Sequence, residues 1–214
     1  MYNPVLFKDR LQAGQKLGQK LKELKIKNPL VLAIPSGGVP VGKEVATILK
    51  APLSLVIARK IQFPWTTEAG FGAVAADGTL YLGPAAENLP EEIIEEQTEI
   101  ALNEVKYRQK EFLKTTKRIN LKNKTVILVD DGLASGATML VAVRSVKKQK
   151  PAKIIVAVPT TSWSAFQLIK EELGNGGDII SLYVHPRNLP FAVAFSYQEW
   201  HDLSDEEVKE YLKR

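Results

Sequence analysis

The sequence predicts a doubly wound α/β fold: a mainly parallel sheet with helices on both faces, a hairpin and lid insertion, and a small C-terminal hood. Three observations predict it. Short apolar runs at Leu30–Ile34, Leu53–Ala58, Thr125–Val129, Ile154–Val158 and Ile179–Val184 have the character of strands buried on both faces. Segments with helical spacing separate most of them, and strand–helix alternation implies parallel pairing through right-handed crossovers. The composition, 214 residues with 45% apolar and 25% charged, is that of an ordinary globular chain. A single domain is expected over residues 1–214, with its core at about 28–184, lid and hairpin at about 59–82 and hood at about 185–214.

The elements follow in order. Leu11, Leu17, Leu21 and Leu24 recur at helical intervals and predict an opening amphipathic helix. Leu30–Ile34 runs into the turn Pro35-Ser36-Gly37-Gly38, and a helix follows through Lys50. Leu53–Ala58 is the next strand. Arg59–Gly70 has little periodicity and contains the breakers Pro64 and Gly70, so a loop is expected. Ala73–Ala76 and Thr79–Leu82 flank Asp77-Gly78, which favours a type I′ hairpin turn. Pro90 suits a first helical turn, and a charged helix runs from Glu91 to about Thr116. The second half gives a strand at Thr125–Val129, a helix from near Gly136 to near Lys150, and a strand at Ile154–Val158. A helix at Ser162–Leu173 and a strand at Ile179–Val184 follow. Ser204 with Glu207 forms a capping box for a last helix through Leu212.

Composition excludes several chemistries. The absence of cysteine removes disulfides, thiolate metal sites and a cysteine nucleophile. Two histidines, His185 and His201, argue against a histidine zinc site or a Ser-His-Asp triad. No apolar run approaches the ~20 residues of a membrane helix, and Met1–Arg10 lacks the apolar core of a secretory signal. A cytoplasmic protein with no membrane partner is therefore expected. The net charge of +5 is spread over helix faces and helix ends. Aromatic residues are not interleaved with the lysines, so no nucleic-acid partner is expected, whereas an anionic ligand suits the charge.

The chemistry concentrates in one strand-to-helix turn, where open α/β sheets bind ligands. Val126–Val129 delivers adjacent carboxylates, Asp130 and Asp131. The small-residue loop Gly132-Leu133-Ala134-Ser135-Gly136-Ala137-Thr138 then opens a helix. Such a loop offers backbone N–H groups, the helix dipole favours an anion, and Ser135 and Thr138 add hydroxyl donors. Two carboxylates beside a phosphate cradle need another partner, such as sugar hydroxyls near a metal. These parts describe a sugar-phosphate site.

This segment resembles the signature with which type I phosphoribosyltransferases bind 5-phosphoribosyl 1-pyrophosphate (PRPP): an apolar strand, two acidic residues, then a loop ending Thr/Ser-Gly-x-Thr. The resemblance implies that Asp130 and Asp131 hold the ribose hydroxyls while Ala134–Thr138 cradle the 5-phosphate. It also implies that Ser36, Gly37 and Gly38, in the turn after the first core strand, bind the pyrophosphate. Many family members carry a basic residue in that turn, and this chain does not. Arg59-Lys60, Glu68 and Gly70-Phe71-Gly72-Ala73-Val74 look similar to a sparsely characterised bacterial and archaeal group of the family. Lys60 would then reach a substrate phosphate from a closing lid, the other reading being a solvated Arg59-Lys60 pair. Trp65 is a lid anchor or packs on the body.

The implied reaction displaces pyrophosphate from C1 of PRPP by an acceptor nitrogen through a cationic sugar, with Mg2+ held mainly by substrate oxygens. Members acting on 6-oxopurines place an aspartate where Ala134 stands, which argues against that mechanism here. The adenine enzymes are similar at this position, and Glu68 is the available loop carboxylate. Phe191, Phe195, Tyr197 and Trp200 of the hood either stack on an acceptor base or pack the subdomain. The expectation is an enzyme of nucleotide metabolism with a small-molecule acceptor, in a chain whose relatives are commonly dimers. The alternatives are a PRPP-sensing regulator and a protein acting on another phosphorylated sugar. A further rival is a P-loop nucleotide hydrolase, since Gly37–Lys43 matches G-x-x-x-x-G-K. Glu44 there replaces the magnesium-binding hydroxyl and Pro40 removes an amide.

Overall fold

The computed structural model describes residues 5–67, 69–112, 114, 119–187 and 189–213. In chain order the first half contains α1 (Arg10–Glu23), β1 (Pro29–Ala33), α2 (Gly38–Leu49), β2 (Leu53–Leu55), β3 (Ala58–Gln62), β4 (Gly70–Ala75) and β5 (Leu80–Leu82). Next come α3 (Glu91–Phe112), β6 (Thr125–Val129), α4 (Ala137–Lys147), β7 (Lys153–Ser162), α5 (Trp163–Leu173), β8 (Gly177–His185) and α6 (Asp205–Lys213). Strands β2-β1-β6-β7-β8 form a five-stranded parallel sheet, and β3-β4-β5 form a second, antiparallel one. The mainly parallel α/β architecture is as the sequence predicts.

The central sheet is apolar because both of its faces are covered. Leu30, Leu32, Val126 and Leu128 pack with α4 and α5, while Val31, Ile127 and Val129 pack with α1 and α2. Register pairs Ala33 with Leu55 and with Val129, and Val129 with Ala157, so these strands share one carboxyl edge. Strands β7 and β8 continue past that edge to the pair Ser162 and His185. They make a wall beside the turn that leaves β6.

The lid region departs from expectation. The run expected as one strand, Leu53–Ala58, divides: β2 ends at Leu55, and the chain swings out of the sheet to begin β3 at Ala58. Arg59–Gln62, expected as loop, is strand, because pairing with β4 supplies backbone partners that polar side chains conceal in the sequence. The small sheet is also a packed layer. Ala58, Ala73 and Ala75 join the cluster containing Met139 and Leu140 of α4. Ile61, Phe71 and Val74 join Ala101, Val105 and Phe112 of α3.

The hairpin turn differs too. Gly78 takes a φ of 82°, Ala75 accepts from the Gly78 N–H at 2.9 Å, and the Asp77 carboxylate accepts from the Thr79 N–H at 3.0 Å. Asp77 is not left-handed, so this is a turn with one left-handed glycine rather than type I′, which needs two such residues. Of the expected extension of α3 to Thr116, residues 113, 115 and 116 lie outside the described residues, and Lys114 is in a turn.

The capping box at α6 is present: Ser204 Oγ accepts from the Glu207 N–H at 3.2 Å, and the Glu207 carboxylate accepts from the Ser204 N–H at 2.9 Å. Its helix seats the fully buried Val208 against the α3 cluster. Ser204→Ala is expected to cost about 1 kcal/mol, read as a lower thermal midpoint.

Candidate functional site

Strand β6 ends in the acidic pair, and the two carboxylates have different surroundings. Asp131 is buried, and its Oδ2 accepts from Arg10 Nε at 2.8 Å. Arg10 Nη1 donates to the His201 carbonyl at 2.8 Å, and the guanidinium lies 3.8 Å from the Trp200 ring centroid. Tyr197 Oη donates to the Asp131 carbonyl at 2.5 Å. Asp130 keeps partial exposure, and its Oδ1 accepts from the Asp131 N–H at 2.9 Å.

Burial pushes the Asp130 carboxyl well above the ordinary range, and the charge of Asp131 adds to the shift. Burial also raises Asp131, against the pull of Arg10. The Tyr197 phenol is raised by burial and by the Asp131 carboxylate. Sequence reasoning missed Arg10, because an arginine opening an amphipathic helix carries no sign of a partner over a hundred residues away.

The loop after the pair is pinned to the projecting β7. Leu133 N–H donates to the Thr160 carbonyl at 3.1 Å, Ser162 N–H donates to the Leu133 carbonyl at 2.9 Å, and Ser162 Oγ donates to the Ala134 carbonyl at 2.6 Å. A Cβ at Gly132 would stand 2.7 Å from Val193 and 2.9 Å from Thr160, so glycine alone fits between hood and wall. Ala134 and Ser135 are exposed. Gly136 caps α4 at a φ of 81° with no side-chain hydrogen bond, while Ser135 Oγ accepts weakly from the Ala137 N–H at 3.4 Å. Ala137 and Thr138 form the first turn. Apart from that weak contact the helix-start amides lack a capping side chain, and amides in this position favour an anion.

The turn after β1 lies against this pair. A Cβ on Gly37 would fall 1.9 Å from Asp131 Oδ2, and one on Gly38 would fall 2.8 Å from the Val129 carbonyl. Gly38 N–H donates to the Ile34 carbonyl at 3.1 Å and Val39 N–H to the Ser36 carbonyl at 3.1 Å. Ser36 and Gly37 remain partly exposed, and the Pro35–Ser36 peptide is cis. Gly37→Ala is expected to cost about 1–3 kcal/mol of stability by overpacking, measured in urea melts. The P-loop alternative finds no loop to use: Gly38–Lys43 is already helical, and Lys43 Nζ donates to the Tyr211 carbonyl at 2.9 Å.

The remaining predicted residues are placed differently. Arg59 pairs with Glu104 of α3 at 2.6 Å and with Gln62 at 3.2 Å. Lys60 lies opposite Ala73 in the small sheet with its stem across Gly70. Glu68 lies outside the described residues. Trp65 is 66% exposed and stacks on Phe63 at 5.1 Å. In the hood, Tyr197 and Trp200 are engaged with Arg10, while Phe195 stays exposed. Phe191 sits 4.1 Å from the His185 ring. His185 is buried, with Nε2 2.9 Å from Thr160 Oγ1, and burial lowers its pKa, which favours the neutral ring.

Among the described residues no cluster of three histidine, aspartate or glutamate side chains exists to cage a metal. No described helix is long and apolar enough to cross a membrane.

Comparisons with known proteins show the family and the fold. Residues 8–165 match the model of the phosphoribosyl transferase domain. Two curated Mycobacterium tuberculosis proteins, named provisionally as phosphoribosyl transferases, are 33% identical over 212 residues, covering 98% of this chain and 47% of each relative. The chain thus spans about half the length of the curated relatives it matches. The crystal structure of the TT1426 protein of Thermus thermophilus superposes with a TM-score of 0.77 at 32% identity, covering 97% of this chain and 98% of that one. An Aquifex aeolicus structure, AQ2163, shares the fold at a TM-score of 0.53 and 14% identity, covering 82% of this chain and 74% of that one. By its acidic turn, its sheet and these matches, the chain belongs to the phosphoribosyl transferase domain family.

Proposed function

We propose that this chain transfers the 5-phosphoribosyl group of PRPP to a nitrogenous acceptor, a nucleobase being the first class to test, with release of pyrophosphate. One observation carries the reading: the Gly37 turn and the start of α4, which its N-cap Gly136 leaves without a side-chain cap, flank the same acidic pair at the carboxyl edge of the sheet. A ligand with an anionic group at each end and a diol between them matches that order. The amides from Ala134 to Thr138 would hold the 5-phosphate, Asp130 would accept from the ribose hydroxyls, and Ser36–Gly38 would meet the pyrophosphate. Lys60 and Glu68 on the lid segment are the proposed further contacts.

Mg2+, when bound, would neutralise the pyrophosphate as it leaves. The protein's own part is to hold both ends of the donor and exclude water from the cationic sugar. Few side chains then need to do covalent chemistry. A cytoplasmic setting suits both this substrate and the cysteine-free chain.

Calorimetric titration tests the proposal, with PRPP and Mg2+ compared with ribose 5-phosphate and ATP. Preference for PRPP supports it, and preference for ATP overturns it. The diol is best bound by a charged Asp130, whose pKa is raised. Affinity is therefore expected to fall as pH drops through that raised value, above the range where an ordinary carboxylate titrates. In Asp130→Asn that dependence should flatten.

A second reading, a PRPP-binding regulator with little transfer, is favoured by the engagement of Asp131 with Arg10. PRPP binding without pyrophosphate release across the common nucleobases would select it.

A further inference from the structure

Helix α3 carries apolar residues on two sides. On the inner side Ala101, Val105 and Phe112 are buried against the small sheet, with Ile94 and Leu102 packed beside them. On the outer side stand Ile93, Ile100 and Tyr107, seven residues or two turns apart, in one line along the helix. Ile100 is turned about 140° from Val105 at the α-helical angle per residue. It is 46% exposed, and Tyr107 is 63% exposed.

A row of polar residues runs along one flank of this line. Glu92, Glu96 and Glu99 lead it, Asn103 follows, and Lys106 and Lys110 end it, all of them exposed. The helix dipole accounts for acids at the start and bases at the end. It does not account for an apolar line of heptad spacing set among them. The nearby charges Glu104 and Arg108 are engaged within the chain, with Arg59 and Asp205.

We infer that α3 is the surface through which two copies of this chain associate, antiparallel about a twofold axis at Ile100. The order of the row selects the occupant. With Ile100 set against Ile100 and Ile93 against Tyr107, the twofold brings the same flank of each copy together. Glu92 of one copy then faces Lys110 of the other, Glu96 faces Lys106, and Glu99 faces Asn103, and the symmetry makes each pair twice. A parallel arrangement would oppose glutamate with glutamate and lysine with lysine. The surface is thus complementary to itself in one direction, as an isologous contact requires.

The other flank supplies more apolar area. Gln97, one turn from Ile93, lines a cleft with Phe63, Pro64 and Trp65. The second copy's Tyr107, set opposite Ile93, is placed to enter it. Helix α3 has 22 residues and is about 33 Å long, enough for all three apolar layers. One helix and one hairpin tip from each copy make an interface at the small end of the specific range, so a reversible dimer of micromolar Kd is expected. The inference is independent of the PRPP reading, which concerns the carboxyl edge of the parallel sheet.

Sedimentation velocity on the full chain, from low micromolar to near-millimolar concentration, tests it. Wild type should pass from monomer to dimer, and added salt should weaken the association. Ile100→Glu places a charge against its own copy at the axis and should leave a monomer, with an unchanged thermal midpoint because the position is exposed. Glu92→Lys with Glu96→Lys gives an all-cationic row, and Lys106→Glu with Lys110→Glu gives an all-anionic one. Each variant alone should dimerise more weakly than wild type by roughly tenfold or more, whereas an equimolar mixture should form the heterodimer.

A wild type that stays monomeric throughout the range would overturn the inference. So would a dimer indifferent to Ile100→Glu, which would place the contact elsewhere on the surface. Charge-row variants that pair no better mixed than alone would remove the antiparallel register. Should Ile100→Glu lower the thermal midpoint, Tyr107→Ala supplies the apolar test, and its dimer should also be weakened.

Discussion

Asp130→Asn is expected to weaken PRPP binding by about 1.5–3 kcal/mol for each hydroxyl contact it loses, a rise in Kd of roughly 10- to 100-fold per contact. The same substitution should make the protein more stable at neutral pH. The Asp130 pKa is raised in the folded state by burial and by the neighbouring Asp131. A carboxyl with a raised folded pKa binds its proton more tightly folded than unfolded. Its ionisation therefore costs stability progressively as pH rises from the unfolded value through the folded one, and the cost is complete above the latter. Asparagine has no charge to bury and removes it. Calorimetric affinity and thermal melts on one preparation should thus move in opposite directions. A variant that loses both binding and stability would show that Asp130 is a structural residue. Functional carboxylates held at the expense of folding are a recurring feature of binding sites.

The second large effect concerns Arg10. Arg10→Ala should destabilise the fold by about 3–5 kcal/mol, because it leaves the Asp131 carboxylate buried without its partner. For a chain of this size that is a drop in thermal midpoint of roughly 6–20 °C. The loss exceeds that of an exposed ion pair such as Lys20–Glu23, where both side chains are more than half exposed and about 0–1 kcal/mol is at stake. It should also lessen at acid pH, where Asp131 becomes neutral and no longer needs a cation. Its own raised pKa brings that relief at a higher pH than for an ordinary carboxylate. A variant whose deficit is the same across the acid range would show that the packing of Arg10 under Trp200, and not its charge, is what the fold uses.

The elements legible in the sequence are those whose signals are local. Thr125–Val129 is a strand with the boundaries its apolar run predicts, and the Ser204–Glu207 cap is made by residues three apart. The acidic turn was legible because carboxylates, small loop residues and a helix start follow one another along the chain. What was not legible depends on distant partners. Strand β3 exists because β4 pairs with it, and its residues Arg59, Lys60 and Gln62 have the polarity of a loop. The extension of β7 to Ser162 depends on β8 running alongside it. Arg10 meets Asp131 only after α1 has docked on the sheet and the hood has folded over both. The turn residues Ser36–Gly38 were placed by resemblance, and their approach to Asp131 is a contact between segments about a hundred residues apart.

Helix α4 lies between the two sheets, and its residues from Met139 to Val143 are all buried. A helix clamped on both sides has few alternative orientations, so the amides at its start are fixed in direction before any ligand arrives. An anion docking there would need to order little of the protein, and its binding should be dominated by enthalpy with a small heat-capacity change. The amides of α4 should be among the slowest in the chain to exchange with solvent deuterium, with or without ligand, while the exposed tip carrying Trp65 exchanges early.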